Sequence, residues 1–417
     1  MLSASSRQAV YPWVICAAGV ILIFCSIGLC GNIMPIYYPF LAAEKGFNNA
    51  ELSAITTFRC AGAFVSMGLL PRLIKRLSLR PLPLLTCLTI GASLLLMSEA
   101  RNLFTLYVAA VGTGLAYGLG SMVLVSPLVR NWFNRREGLV LSICACVSGL
   151  ANLVASPLVT YAVERFGLKT AFRLEAAAAV LLGLVMFALV RDEPGSLGLV
   201  PFGGKRRQSA APASAPSSQV RMSRAHQRLM LAAVLATGPA NIGAFSFFTM
   251  QSSGSGYSPM TVAAALSVFG LELTVAKLLY GWCNDRFGVY RCNFGFLSLL
   301  ISGNLLLGLL PLFKPGFLIF LSMGLTALGY PPMMIGFSLW ARDLGDPAGY
   351  TKKVARYQQL SMAGGMAGTM AGGVSADATG DYTLAYICCA LLLLFTLITV
   401  QYLYRRYGQD RRSYANK

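Results

Sequence analysis

Two charges inside one apolar run mark the place where this sequence could do chemistry. The stretch "VFGLELTVAKLLYGWCNDRFGVYR", residues 268–291, holds Glu272 and Lys277 in a segment long enough to cross a bilayer, then ends in a charged turn. A charge at the bilayer centre costs about 2.5–3.5 kcal/mol on insertion scales, so a residue of this kind needs a role that offsets it. Ser267, Gly270, Thr274, Lys277, Gly281 and Asn284 recur every three or four residues and fall on one helical face. That small, polar face suits a helix bordering a wet cavity, where an ammonium is solvated or meets an anion. The alternative is a lysine that snorkels to the headgroups. Arg59 shares a comparable face with Thr56, Gly62, Ala63 and Ser66. Its planar fork fits a carboxylate, whether of a substrate or of another helix. If both cations look into one cavity, the ligand of that cavity is anionic.

Glu272 lies elsewhere on its helix. Five residues amount to about 500° of rotation, which leaves Glu272 about 140° from Lys277 and among Ala265, Val268, Phe269, Val275 and Ala276. A carboxylate there must find a partner or lose its charge. It is therefore either a proton-coupling site or a structural partner of Arg59 or another polar group. Tyr117 and Tyr330 are flanked by Ala116, Gly118 and Gly329; they either close over a small acid with a phenolic hydrogen bond or serve as core packing. Asn32, with Tyr37 and Tyr38, is a further candidate. Gly364, Gly368 and Gly372 make consecutive small-xxx-small steps that let helices approach closely.

The elements that must position these residues are set by composition. Of 417 residues, 56% are hydrophobic and 12% charged, against roughly 25% charged in soluble domains. The apolar runs are continuous rather than alternating, which predicts transmembrane helices over roughly 12–41, 51–71, 81–98, 103–128, 138–162, 171–190, 228–250, 260–283, 291–311, 316–340, 355–376 and 382–404. The N-terminal "MLSASSRQAVYPW" lacks a charged n-region and a small-residue cleavage site, so its apolar run is expected to be a retained helix. Eleven cysteines lie scattered with no ligand spacing, and the one histidine, His226, lies in a polar stretch. Zinc and Ser-His chemistry are excluded as leading readings, and no cofactor is expected.

The net charge of +19 is distributed by topology. With those helices, 26 of the 34 lysines and arginines fall on one side, which the positive-inside rule assigns to the cytoplasm together with both termini. The basic balance thus reports membrane orientation, and no nucleic-acid partner is expected. Between helices six and seven, residues 191–227 are rich in Pro, Gly, Ser and Ala and read as a cytoplasmic linker. It separates an N-terminal six-helix bundle, 1–190, from a C-terminal bundle with a cytoplasmic tail, 228–417.

The two halves look duplicated. "GLLPRLIKR" follows helix two and "GWCNDRFGVYR" follows helix eight, and from Gly68 to Tyr117, as from Gly281 to Tyr330, the spacing is 49 residues. Repeated halves are a mark of secondary transporters, which hold substrate at the repeat interface.

On these residues the chain resembles the major facilitator superfamily. "GWCNDRFGVYR" is similar to its G-x-x-x-D-R-x-G-x-x-R loop in the second-half copy. "VRNWFNRREGLVLSICACVSGL" and "RDEPGSLGLVPFG" resemble segments of a subgroup containing the monocarboxylate porters and the oxalate:formate antiporter. Departures are Arg72 where the first loop copy usually has Asp, an uncharged "CSIGLCGNIMPIYYPF", and Gly364 where the oxalate carrier has a lysine. The resemblance implies an all-α membrane protein of 12 helices in two pseudo-symmetric bundles. It places Lys277 at the subgroup's helix-eight cation, next to substrate, and makes Asp285, Arg286 and Arg291 a cytoplasmic gate with Arg342 or Arg356 as partner. The expected function is secondary active transport of a small organic anion, a monocarboxylate by preference, by proton symport or anion exchange. The protein would be a non-enzymatic, multi-pass monomer of the cell membrane, with substrate, protons and lipid as its partners. The competing expectations are transport of a neutral or cationic solute, or a transporter-like sensor that binds without turnover.

Overall fold

Residues 4–134, 137–203, 222–313, 316–344 and 350–407 are described by the computed structural model. Apart from an isolated bridge between Phe133 and Phe202, their regular structure is entirely helical. The order is α1 (Ala4–Ile23), α2 (Tyr37–Lys45), α3 (Asn49–Leu77), α4 (Leu82–Ser98), α5 (Leu103–Leu119), α6 (Met122–Trp132), α7 (Glu137–Phe166) and α8 (Leu168–Leu189). There follow α9 (Arg224–Gly238), α10 (Ala244–Gly254), α11 (Pro259–Gly308), α12 (Gly316–Gly329), α13 (Gly336–Asp343), α14 (Tyr350–Thr379) and α15 (Thr383–Tyr407).

Among the described residues, eight helical stretches are long and apolar enough to cross a membrane, and Leu82–Ser98 and Gly316–Gly329 are shorter apolar helices. The protein is thus an all-α, multi-span membrane protein. The run α11 consists of two helices that meet at a kink, in keeping with the two expected over 260–283 and 291–311, and the break falls at Gly288, which adopts φ 80° and ψ 155°. Only glycine takes that conformation without strain, and Gly288 is the second glycine of "GWCNDRFGVYR".

The duplication read from spacing recurs in the helix boundaries. Thr379 ends α14 213 positions after Phe166 ends α7. Gly167 and Gly380, the left-handed residues in the turns after α7 and α14, keep the same interval. Both halves also interrupt their first helix with a π-helical segment, Phe24–Ile33 between α1 and α2 and Pro239–Gly243 between α9 and α10. Such widened turns free backbone groups and recur at functional sites.

Contacts divide the chain into two compact units: Met1–Tyr37 with Phe58–Ala213, and Tyr38–Thr57 with Ser214–Lys417. In the first unit, the residues following α8 are held rather than loose. Trp132 Nε1 donates to Arg191 O at 2.9 Å, Arg80 N donates to Asp192 Oδ1 at 2.6 Å, and Phe202 N donates to Trp132 O at 2.8 Å. The remainder of the expected linker, 204–221, lies outside the described residues. In the second unit, Met230, Val234, Leu297, Leu300, Phe337, Trp340 and Leu393 form a core. Tyr38–Thr57 join that unit through buried hydroxyls and a helix cap: Thr56 Oγ1 lies 2.8 Å from Ser246 Oγ, Thr57 Oγ1 lies 2.7 Å from Thr369 Oγ1, and Asp377 accepts from the Asn49 and Ala50 amides.

Candidate functional site

In the first unit the site is organised around the π-helical segment of the first span. Arg59, on α3, is 9% exposed, and its Nη1 donates to the carbonyls of Cys30 at 2.8 Å and Gly31 at 2.5 Å. Pro35 has no N–H, so the Gly31 carbonyl lacks its i+4 donor and, in the π-helical register, the Cys30 carbonyl lacks its i+5 donor; both are left for the guanidinium. Among the described residues of its own unit, Arg59 forms no ion pair with a carboxylate. Tyr117 covers the same turn, because a Cβ at Gly31 would fall 2.9 Å from its ring. The approach of α3 to α5 depends on Gly114, where an added Cβ would lie 1.9 Å from the Arg59 carbonyl oxygen. Asn32 Nδ2 donates to Ser148 O on α7 at 2.8 Å, which fixes the end of the π-helical segment. Arg59, Tyr117 and Asn32 are thus brought together on Phe24–Ile33.

The second unit repeats part of this plan with other chemistry. Tyr330 lies just beyond α12 and aims its hydroxyl at Asn241, 2.7 Å from the backbone oxygen and 2.6 Å from Oδ1. Asn241 sits in the Pro239–Gly243 segment, so each of the paired tyrosines covers the π-helical turn of its own unit. Lys277 is 9% exposed and lies on the buried face of α11 with Ser267, Leu273 and Tyr280. Leu271, Val275, Leu278, Leu279 and Trp282 form the exposed face. The ammonium is therefore held inside the protein and does not run along its lipid-facing side. Glu272 is half-buried and lies over Gly324 of α12, with Oε2 buried and without a hydrogen-bond partner. It stands 213 positions after Arg59, at the equivalent place of the repeat.

The expected small-residue stripe on α14 is a contact surface within this unit. A Cβ on Gly364 would come 2.0 Å from the Leu235 carbonyl oxygen, one on Gly368 2.5 Å from Pro239, and one on Gly372 2.2 Å from the Phe247 ring. Three successive turns of α14 thus lie backbone-close against α9, the π-helical turn and α10.

At the expected gate, Arg286 is exposed and stacks over Trp282 and Phe287, with its guanidinium carbon 5.4 Å and 5.7 Å from the two ring centroids. Arg291 is also exposed. The Asp285 side chain lies outside the described residues. Arg342 pairs with Asp343 at 2.7 Å, and Asp343 also accepts from Tyr404 OH at 3.0 Å.

One residue was absent from the sequence-derived set. Glu175 on α8 is 7% exposed; its Oε2 accepts from Tyr37 OH at 2.6 Å, while Oε1 is buried with no hydrogen-bond donor. The signal available was a carboxylate two turns inside an apolar helix, on one face with Phe172, Ala176 and Ala179, all buried. Among the described residues no group of three His, Cys, Asp or Glu could hold a metal ion.

Comparison with known proteins decides the family. Residues 19–271 match the Major Facilitator Superfamily. The chain belongs to the major facilitator superfamily. An uncharacterised MFS-type transporter of Escherichia coli (strain K12), YhjX, is 28% identical over 134 residues, which is 32% of this chain and 33% of that relative's length. Two solved structures of the nucleoside transporter NupG superpose with TM-scores of 0.74, for a mutant form, and 0.71, at 13% and 12% identity. They cover 94% of this chain and 100% and 99% of theirs. A POT family transporter in complex with a thioalcohol-conjugated peptide gives 0.70 at 15% identity, covering 93% of this chain and 95% of its own. These likenesses establish the superfamily fold.

Proposed function

We propose that this protein is a secondary active transporter of a small organic anion, with monocarboxylates the favoured class and proton symport or anion exchange as the drive. The observation that carries the proposal is the burial of two cations, Arg59 and Lys277, in membrane-crossing helices, one in each compact unit. Apolar helices retain such charges where a role offsets the cost of placing them there. A planar guanidinium and a point-like ammonium are complementary recognisers of a carboxylate. Arg59 gives its Nη1 hydrogens to two carbonyls, and the remaining edge of its guanidinium is proposed to meet substrate. Tyr117 and Asn32 in the first unit, and Tyr330 in the second, are proposed as further substrate-binding residues. The proposed topology is twelve spans in two bundles, 1–190 and 228–417, joined by a cytoplasmic linker, with both termini cytoplasmic. Asp285, Arg286 and Arg291 would gate the cytoplasmic side.

The test is uptake into proteoliposomes of labelled formate, acetate and lactate at two external pH values, for the wild type and Lys277→Ala. Saturable uptake that the substitution abolishes is expected. Uptake of every transported acid undiminished in Lys277→Ala would remove that residue from the mechanism.

A second reading, transport of a neutral solute, is favoured by the buried hydroxyls of Tyr38, Thr56 and Ser246, linked by contacts of 2.6 Å and 2.8 Å. Competition separates the two: carboxylates suppress uptake under the first reading, and polyols or nucleosides under the second. Counterflow of labelled solute separates both from a sensor that binds without turnover.

A further inference from the structure

Arg59 and Lys277 account for the buried cations, but the buried carboxyl of Glu175 is not used by either reading. Its surroundings are specific. The group sits on α8 and is 7% exposed. It has one short hydrogen bond, from the Tyr37 phenol at 2.6 Å, and a second oxygen that meets no donor. The Tyr37 ring is itself fully buried and stacked on Phe172, one turn before Glu175, with centroids 4.1 Å apart. Across from α8, the π-helical segment places the Cys25 and Cys30 thiols within electrostatic reach of the carboxyl, and α4 contributes Cys87, which faces Cys25. Among the described residues, these thiols and the phenol are the titratable groups found to act on or respond to it. No lysine or arginine among the described residues forms an ion pair with Glu175.

An anion in this place would have a single donor to replace its water shell. A carboxylic acid loses far less on leaving water than a carboxylate does. Structural carboxylates in apolar interiors are paired, because an unpaired one is a standing cost. A carboxyl that has a phenol on one oxygen and nothing on the other is suited to alternate between acid and anion as its surroundings open and close.

We propose that Glu175, hydrogen-bonded to Tyr37, is a reversible proton-binding site inside the first unit and the site whose loading drives symport. Loading forms one O–H bond on the carboxyl from a hydronium ion and leaves water; release reverses the step, and no other bond changes. The route to the transported solute is short in the chain. The Cys30 thiol lies within electrostatic reach of both Glu175 and Arg59, and its carbonyl accepts from Arg59. A change of charge at Glu175 therefore acts on the same π-helical turn that holds the guanidinium. This inference rests on the transport reading only for its link to uptake; the proton site stands or falls on its own measurement.

The experiment is infrared difference spectroscopy of the full-length protein in nanodiscs, between acidic and alkaline buffer, on wild type, Glu175→Gln, Glu175→Asp and Tyr37→Phe. A protonated-carboxyl band that titrates is expected in wild type. It should be lost in Glu175→Gln, retained in Glu175→Asp, and displaced along the pH axis in Tyr37→Phe. Wild-type difference bands unchanged in a folded Glu175→Gln protein would overturn the site. In vesicles, Glu175→Gln is expected to lose at least tenfold of the accumulation driven by a pH gradient while keeping counterflow of the same labelled acid. Gradient-driven accumulation equal to wild type would overturn the coupling. If wild type moves none of the formate, acetate and lactate offered, the anion reading fails, and the infrared titration alone decides the proton site.

Discussion

Arg59 and Glu272 stand 213 positions apart at the same place in the two repeats, and each packs its helix closely against another helix of its own unit. The Arg59 carbonyl lies where a Cβ on Gly114 would be, and the Glu272 carboxylate lies over Gly324. The duplicated backbone thus carries opposite charges at one repeat position. Arg59 binds carbonyls that the π-helical turn exposes, so it has a structural duty besides any contact with substrate. Arg59→Ala should strand the Cys30 and Gly31 carbonyls and cost about 1–3 kcal/mol. Arg59→Lys should recover part of that, since an ammonium reaches one carbonyl but cannot present a planar fork. Thermal unfolding of the purified variants checks both. A melting temperature for Arg59→Ala equal to wild type would refute the clamp.

Glu272 is expected to behave differently. Its Oε2 is buried without a partner, so Glu272→Gln removes a poorly satisfied charge and leaves the shape intact. The substitution should change stability by no more than about 0.5 kcal/mol, in the stabilising direction if at all. Gradient-driven uptake should persist. Loss of proton-driven accumulation in Glu272→Gln, with Glu175→Gln unaffected, would move the coupling site from α8 to α11.

Much of this was legible in the sequence because the governing patterns are local and periodic. Continuous apolar runs predicted the helices, and the interval implied by the 49-residue spacing reappears between the ends of α7 and α14 and between Gly167 and Gly380. The small, polar face of Lys277 is the pattern expected beside a wet cavity, and the structure shows the residue buried on its helix. What escaped depends on deviation from the regular helix. Nothing in "FCSIGLCGNI" announces a ten-residue π-helical segment; the one available signal was Pro35, which leaves the Gly31 and Cys30 carbonyls without backbone donors. Glu175 escaped because "LKTAFRLEAAAAV" carries Lys169 and Arg173 just before it, so the carboxylate reads as one more charge of a helix end. The cations instead turn outward to Glu99, with Lys169 Nζ at 2.8 Å and Arg173 Nη2 at 2.5 Å, and Glu175 turns inward to Tyr37. Rotation about the α8 axis, not sequence position, separates Glu175 from the two cations.

The glycine stripe of α14 gives a prediction with an internal control. A methyl on Gly364 would meet the Leu235 carbonyl, which is backbone and cannot swing aside. Gly364→Ala should therefore force α14 away from α9 and cost about 1–3 kcal/mol by overpacking. Gly281→Ala meets nothing within 4 Å and should be neutral or slightly stabilising, because alanine is the better helix former. Parallel melting curves decide the matter. Equal stability of the two variants would show that α14 is not wedged against α9.

The outward cluster around Glu99 sets an acid limit on stability. Lys169, and then Arg173, hold the Glu99 carboxyl below the usual carboxylate range. The folded state thus binds this proton less readily than the unfolded chain does. The contribution of the cluster is fully present above the ordinary carboxylate value and disappears as pH falls through the lowered folded value. Because the group is fully exposed, salt should weaken the effect. Melting temperatures of wild type and Glu99→Gln should differ at neutral pH and low salt, then converge in acid. A difference that persists unchanged in acid would show that Glu99 acts through packing and not through its charge.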